Sequence, residues 1–258
     1  MLSYLANPAR FRSFARIARP IAGWTAVTLL VTGLPWALAF SPPDYQQGDS
    51  VRIMYVHVPA AWMSLAIYTV IAAAGLVSFV WRHPLADVAG KCAAPLGACF
   101  TFLALVTGAL WGKPTWGTWW VWDARLTSVL VLFFLYLGLM ALWRSIDDQT
   151  KAARIAGIAA MVGWINVPII KFSVDWWNSL HQPASVFRPD GPTIDASLLW
   201  PLAIMALAYT ALFAWLLFVA MEAELDRRRV QVLRDRQIGA AGARPARPAE
   251  IPGTGAPA

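Results

Sequence analysis

The sequence predicts an all-α integral membrane protein with six transmembrane helices and a tryptophan-rich loop facing outward. Three observations carry this. Of 258 residues, 59% are hydrophobic and only 14% charged, where a soluble domain is nearer half apolar and a quarter charged. The apolar residues gather in runs of about 20, the length that crosses roughly 30 Å of hydrocarbon as a helix. Lys and Arg fall between the runs, unequally on the two sides. The net charge of +7 therefore reads as membrane anchoring, and nucleic acid is set aside as a partner in favour of the lipid bilayer.

Taken in order, residues 1–20 form a basic N-terminal segment containing RFRSFARIARP. The runs then cover Ile21–Phe40, Ala60–Val80, Ala93–Leu110, Leu126–Trp143, Ile155–Lys171 and Leu198–Met221. Pro59 sets the start of the second helix. The fifth run is the least regular, because Asn166, Pro168 and Lys171 crowd its end; such prolines are tolerated where neighbours satisfy the freed backbone groups. The six spans make one domain over 21–221. Residues 222–258 form a charged helical end that gives way to an Ala/Pro/Gly-rich stretch, read as disordered. Cys92 and Cys99 are too far apart for a comfortable disulfide and read as small buried hydrophobes. The basic N-terminus precedes a full-length span with no clean small-residue cleavage site, which argues against a cleaved signal peptide.

Sidedness follows from the cations. Sixteen of the 21 Lys and Arg residues fall on the side of the two termini, and only Arg52, Lys113, Arg125, Lys171 and Arg188 on the other. The positive-inside rule puts both termini in the cytoplasm. Loops 41–59, 111–125 and 172–197 then face the periplasm if the membrane is a bacterial inner membrane. His57 and His181 land on this outer face and His83 on the opposite one.

The chemistry concentrates in residues 111–127, WGKPTWGTWWVWDARLT, which hold five of the 15 tryptophans. Interfacial belts account for one or two indoles, and five ask for more. Trp116, Trp119, Trp120 and Asp123 would share one face of a helix; in an extended segment Trp120 and Trp122 would share a face instead. Gly112, Pro114 and Gly117 interrupt any long helix, and both arrangements stay open. Two histidines flank this aromatic platform. Neutral imidazole is a good iron ligand, and axial histidines hold haem. A flat macrocycle stacks on indoles, and its propionates seek cations such as Arg52, Lys113, Arg125 or Arg188. Arg125 is the first choice, yielding to Arg52 or Arg188 if it pairs with Asp123. A mononuclear zinc or copper site would leave the tryptophans unexplained.

The stretch from Trp116 to Asp123, WGTWWVWD, resembles the WGxxWxWD signature of the WWD-domain haem-handling superfamily of cytochrome c biogenesis. With six spans, PTWGTWWVWDARLTS, a histidine just before the second span and another in WWNSLHQP, the chain is similar to the CcmC family from about Trp24 to Met221. The long C-terminal tail is the one departure. The resemblance implies haem b held at the periplasmic surface and delivered to the haem chaperone CcmE, beside the ABC transporter CcmAB and the small membrane protein CcmD. It also implies that His57 and His181 are the axial iron ligands. Trp116, Gly117, Trp120, Trp122 and Asp123 match the signature that forms the haem platform; Trp119 and Arg125 lie within and beside it. Asp123 has two readings, a hydrogen-bond acceptor that fixes the loop or a contact for the partner, and the first is favoured.

The expected role is delivery rather than enzymatic catalysis, since no acid–base pair is evident. No GxxxxGK[ST] segment occurs, so any ATP-driven step belongs to a partner. Rival readings are a haem permease subunit of an ABC transporter, a membrane redox haem subunit, and a cofactor-free scaffold. A permease calls for ionisable groups along the spans, and a redox subunit for histidines inside them; the sequence offers little of either.

Overall fold

In hydrocarbon, every backbone N–H and C=O needs a partner within its own segment, so apolar runs of this length become helices. The computed structural model describes residues 7–183 and 185–242. Helix α1 spans Pro8–Pro35 and continues as a π-helical turn over Trp36–Phe40. A 3-10 turn, Asp49–Ile53, leads into α2, Met54–Trp81, so the second helix starts five residues before Pro59, which lies inside it rather than setting its start. Then come α3 (Pro84–Trp116), α4 (Ala124–Ser145), α5 (Gln149–Gly163), α6 (Asn166–Trp176) and α7 (Ala196–Gly242). Six stretches are long and apolar enough to cross a membrane, and each predicted run lies within one of them. The protein is a multi-pass, all-α membrane protein.

Local chemistry explains the boundaries. Asn7 caps α1 by accepting from Ala9 N–H at 2.8 Å, with Pro8 following at the first helical position. Asp148 caps α5 through Thr150 and Lys151. The fifth span is two helices, interrupted at Trp164 and Ile165. Pro168 falls in the first turn of α6, where a missing N–H costs no intrahelical bond. Asn166 ties the break to α4 by donating to Ser128 C=O at 2.9 Å. The third span runs past its expected end at Leu110, because Gly112 and Pro114 are accommodated inside α3. Pro114 removes one hydrogen bond close to the helix end. A Cβ on Gly112 would lie only 3.1 Å from the Trp116 ring and 3.3 Å from Thr118 O.

Helices α2 and α3 pack along each other at the centre, with the α1–α7 pair on one side, α4 and α5 on the other, and α6 against α4. Between helices in lipid, close van der Waals fit replaces the hydrophobic effect as the source of association. The fit is visible at Gly97, where a Cβ would fall 2.1 Å from the Tyr136 ring, and at Gly75, where it would meet the Gly157 backbone at 2.9 Å. Tyr136 is fully buried, meets Tyr68 edge-on at 5.2 Å, and donates its hydroxyl to Ser64 C=O at 2.6 Å. Cys92 is half-buried, but Cys99 is exposed on α3, so the expectation of two buried thiols fails for Cys99.

The two ends of the bundle differ. One gathers the tryptophan loop, His57 and His181. At the other, the basic end, α1 and α3 are bound to α7 by ion pairs: Arg12–Asp226 at 2.5 Å, Arg19–Glu222 at 2.6 Å, Lys91–Glu224 at 2.7 Å and Arg228–Asp87 at 3.3 Å. Helix α7 has 47 residues, about 70 Å at roughly 1.5 Å per residue, so it extends well beyond a membrane of ~30 Å. The predicted disordered end of the tail, 243–258, lies outside the described residues, as do residues 1–6 of the basic segment.

Candidate functional site

The tryptophan loop begins where α3 stops. Gly117 adopts a left-handed conformation (φ 76°) and its N–H bonds to Lys113 C=O at 3.1 Å, closing the helix. Lys113 Nζ returns a bond to Gly117 C=O at 3.0 Å and lies 5.9 Å from the Trp119 ring centre. The segment from Gly117 to Asp123 is not helical. The extended alternative is therefore the one realised: Trp120 and Trp122 meet edge to face at 5.5 Å, while Trp116 stays on α3. The single indole plate through Trp116, Trp119, Trp120 and Asp123 does not form. Trp119 is 54% and Trp122 75% exposed. Trp120 is half-buried, and its Nε1 is buried without a hydrogen-bond partner among the described residues, an orphaned donor beside open aromatic surface.

His57 lies in the first turn of α2. Its Nδ1 is 3.0 Å from Ala104 C=O and 3.2 Å from the Thr107 hydroxyl, both on α3. Trp111 meets the ring edge-on at 5.7 Å, and Trp111 Nε1 is itself held by Gln47 at 2.8 Å. Gly108 makes room for the imidazole, since a Cβ there would lie 2.9 Å from His57 Cε1.

His181 belongs to the non-helical stretch between α6 and α7. It packs edge-on against Trp116 at 4.8 Å. Its Nδ1 is 3.4 Å from Asp123 Oδ2 and from Ser179 Oγ. Asp123 is the N-cap of α4, accepting from Leu126 N–H at 2.8 Å, and its second oxygen accepts from Ser179 at 2.5 Å. With a side chain 6% exposed, Asp123 fixes the loop, the first of its two readings. Burial acts to raise the Asp123 carboxyl, but the bonds from Ser179 and Leu126 and the neighbouring imidazole hold it below the usual carboxylate value. Burial holds the His181 imidazole below its ordinary value, opposed by Asp123 and assisted by the charge of Arg125.

The two imidazoles, distant in sequence, each pack edge-on against an indole of α3, His57 on Trp111 and His181 on Trp116. No hydrogen bond falls on Nε2 of either ring among the described residues. Arg125 does not pair with Asp123; it donates from Nε to Ser173 Oγ at 3.1 Å and from Nη2 to Lys171 C=O at 3.4 Å, joining the start of α4 to α6. Arg52 donates to Ser41 C=O at 3.0 Å and lies 3.3 Å from Asp49. Arg188 is exposed. Sequence reasoning missed Trp111, Thr107, Gly108 and Ser179. Trp111 opens the quoted tryptophan stretch and Ser179 sits two residues before His181, so both were within reach; Thr107 and Gly108 read only as small residues in an apolar run.

The residues fit a flat, apolar, iron-bearing group: two unengaged imidazole nitrogens, exposed indoles and nearby guanidinium groups. The family model described as Heme exporter protein C matches residues 1–236. The chain belongs to the CcmC family. Heme exporter protein C of Bradyrhizobium diazoefficiens is 58% identical over 230 residues, covering 89% of this chain and 87% of that one. That of Escherichia coli K12 is 46% identical over 220 residues, 85% and 89% of the two chains. A putative ccmC-like mitochondrial protein of cytochrome c biosynthesis from Marchantia polymorpha is 52% identical over 165 residues, 64% and 69%.

Proposed function

We propose that this CcmC-family protein handles haem for cytochrome c maturation, holding haem b at the periplasmic face of the inner membrane and delivering it to the chaperone CcmE. The observation that carries this reading is the convergence of His57 and His181 on the end of the bundle that also bears the exposed tryptophans, each ring edged by an α3 indole and each with Nδ1 already engaged. In this reading their Nε2 atoms are the axial ligands. Trp116, Trp119, Trp120 and Trp122 supply apolar and aromatic surface, Gly117 turns the chain, and Asp123 sets the loop and His181. Arg125, whose Nη1 carries no hydrogen bond among the described residues, is the propionate partner in this reading.

Haem is cargo here, so the protein's task is to hold and orient it while leaving one edge accessible. Exposed Trp122 and Trp119 suit docking of the acceptor. Surface presentation is favoured over passage through the bundle, because the buried acids Glu224 and Asp123 lie at its two ends, one at the basic end and one at the tryptophan loop. CcmAB and CcmD complete the assembly in this reading, with ATP hydrolysis left to CcmAB; the chain itself acts in delivery rather than catalysis.

The test is haem attachment to CcmE in cells whose own CcmC is deleted, read by haem staining of CcmE on denaturing gels. This protein restores haem-bearing CcmE, and the His57→Ala/His181→Ala double variant does not. Equal restoration by the double variant would refute the proposal.

A further inference from the structure

We propose that Thr107 and Ser179 are a matched pair of positioning residues, each holding one histidine as the tautomer whose bare Nε2 can bind iron. The inference rests on the haem-binding reading above and adds to it how the two nitrogens are made available.

A hydroxyl has one proton to give, and the partner that takes it fixes what the oxygen offers elsewhere. The Thr107 hydroxyl donates to Leu103 C=O at 2.6 Å, with Ala104 C=O as a weaker second acceptor at 3.4 Å. Towards His57 Nδ1 it therefore presents only lone pairs, as does Ala104 C=O at 3.0 Å. A bare Nδ1 there would set lone pair against lone pair, so Nδ1 carries the proton. In the neutral ring Nε2 is then bare.

Ser179 repeats this logic on an unrelated element. Its proton goes to Asp123 Oδ2 at 2.5 Å. Its oxygen accepts from His181 N–H at 3.1 Å and faces His181 Nδ1 at 3.4 Å. Asp123 Oδ2, the other neighbour of that nitrogen, is also an acceptor. His181 Nδ1 thus meets acceptors alone, and its proton is fixed on the side away from Nε2. Partners of this kind orient metal-binding histidines and set their basicity, and losing one costs about 10- to 100-fold in affinity.

Isotope-labelled histidine NMR of the haem-free full chain in detergent reads the tautomers directly. Both rings should show a protonated Nδ1 and a bare Nε2; a bare Nδ1 on either ring in the wild type overturns the proposal. Haem-loaded protein gives the second arm. Thr107→Val and Ser179→Ala should each lose haem to a scavenger about 10-fold faster than wild type, with shifted visible bands, and Thr107→Ser and Ser179→Thr should restore both. Wild-type bands and retention in Thr107→Val and Ser179→Ala would overturn the proposal alone, provided His57→Ala and His181→Ala still change the spectrum. If those histidine variants also leave it unchanged, the haem-ligand reading falls with it.

Discussion

At the basic end, the Glu224 side chain is 4% exposed and is met by Lys91 at 2.7 Å, Arg228 at 3.0 Å and Arg227. At the tryptophan end, Asp123 is 6% exposed and meets a backbone N–H, a hydroxyl and an imidazole, with no ammonium or guanidinium bound to it among the described residues. The first carboxylate cancels charge and joins helices α3 and α7. The second caps α4 and ties the tryptophan loop to Ser179 and His181. Buried acids of similar exposure thus serve opposite ends, one neutralising charge between helices and one ordering a loop.

That contrast makes separable predictions. Glu224→Ala takes the carboxylate from partly buried Lys91 and Arg228 and should cost about 2 kcal/mol, seen as a clear fall in thermal midpoint in detergent, with haem bound per folded molecule unchanged. An unaltered midpoint would remove the basic end's structural role. Gly108→Ala reverses the pattern: its Cβ, 2.9 Å from His57 Cε1, should cost about 1 kcal/mol by overpacking while clearly weakening haem retention. Asp123→Ala should lose about 1 kcal/mol of capping as well as haem. Asp123→Asn preserves a good cap, so it should recover most of the stability but not the haem affinity. Equal thermal midpoints for the two Asp123 variants would show that the cap is not what the residue supplies. The smallest stability effect is expected for Trp122→Ala, 75% exposed and so within about 0.5 kcal/mol; its signature is slower transfer to CcmE.

The spans were legible because bilayer thickness imposes a length on every apolar run, and Pro168 marked the irregular fifth one. The ends of the spans were less so. Leu110 looked terminal because Gly112 and Pro114 follow, yet Gly112 is where α3 needs room for Trp116 and the folded-back loop. The tryptophan loop fitted two periodicities, and only the turn at Gly117 chooses the extended one. Asp123 was recognisable as a loop-fixing residue, but its bond to Ser179 joins residues 56 apart in the chain, which local pattern cannot reveal. The same holds for Thr107 and His57, 50 apart.

The most direct test of the account is the visible absorption spectrum of the purified full chain in mild detergent, comparing wild type with His57→Ala, His181→Ala and His83→Ala. The account predicts a six-coordinate haem spectrum in the wild type, changed by either of the first two substitutions and unaffected by His83→Ala. A wild-type spectrum unaltered by loss of His57 and of His181 would contradict it.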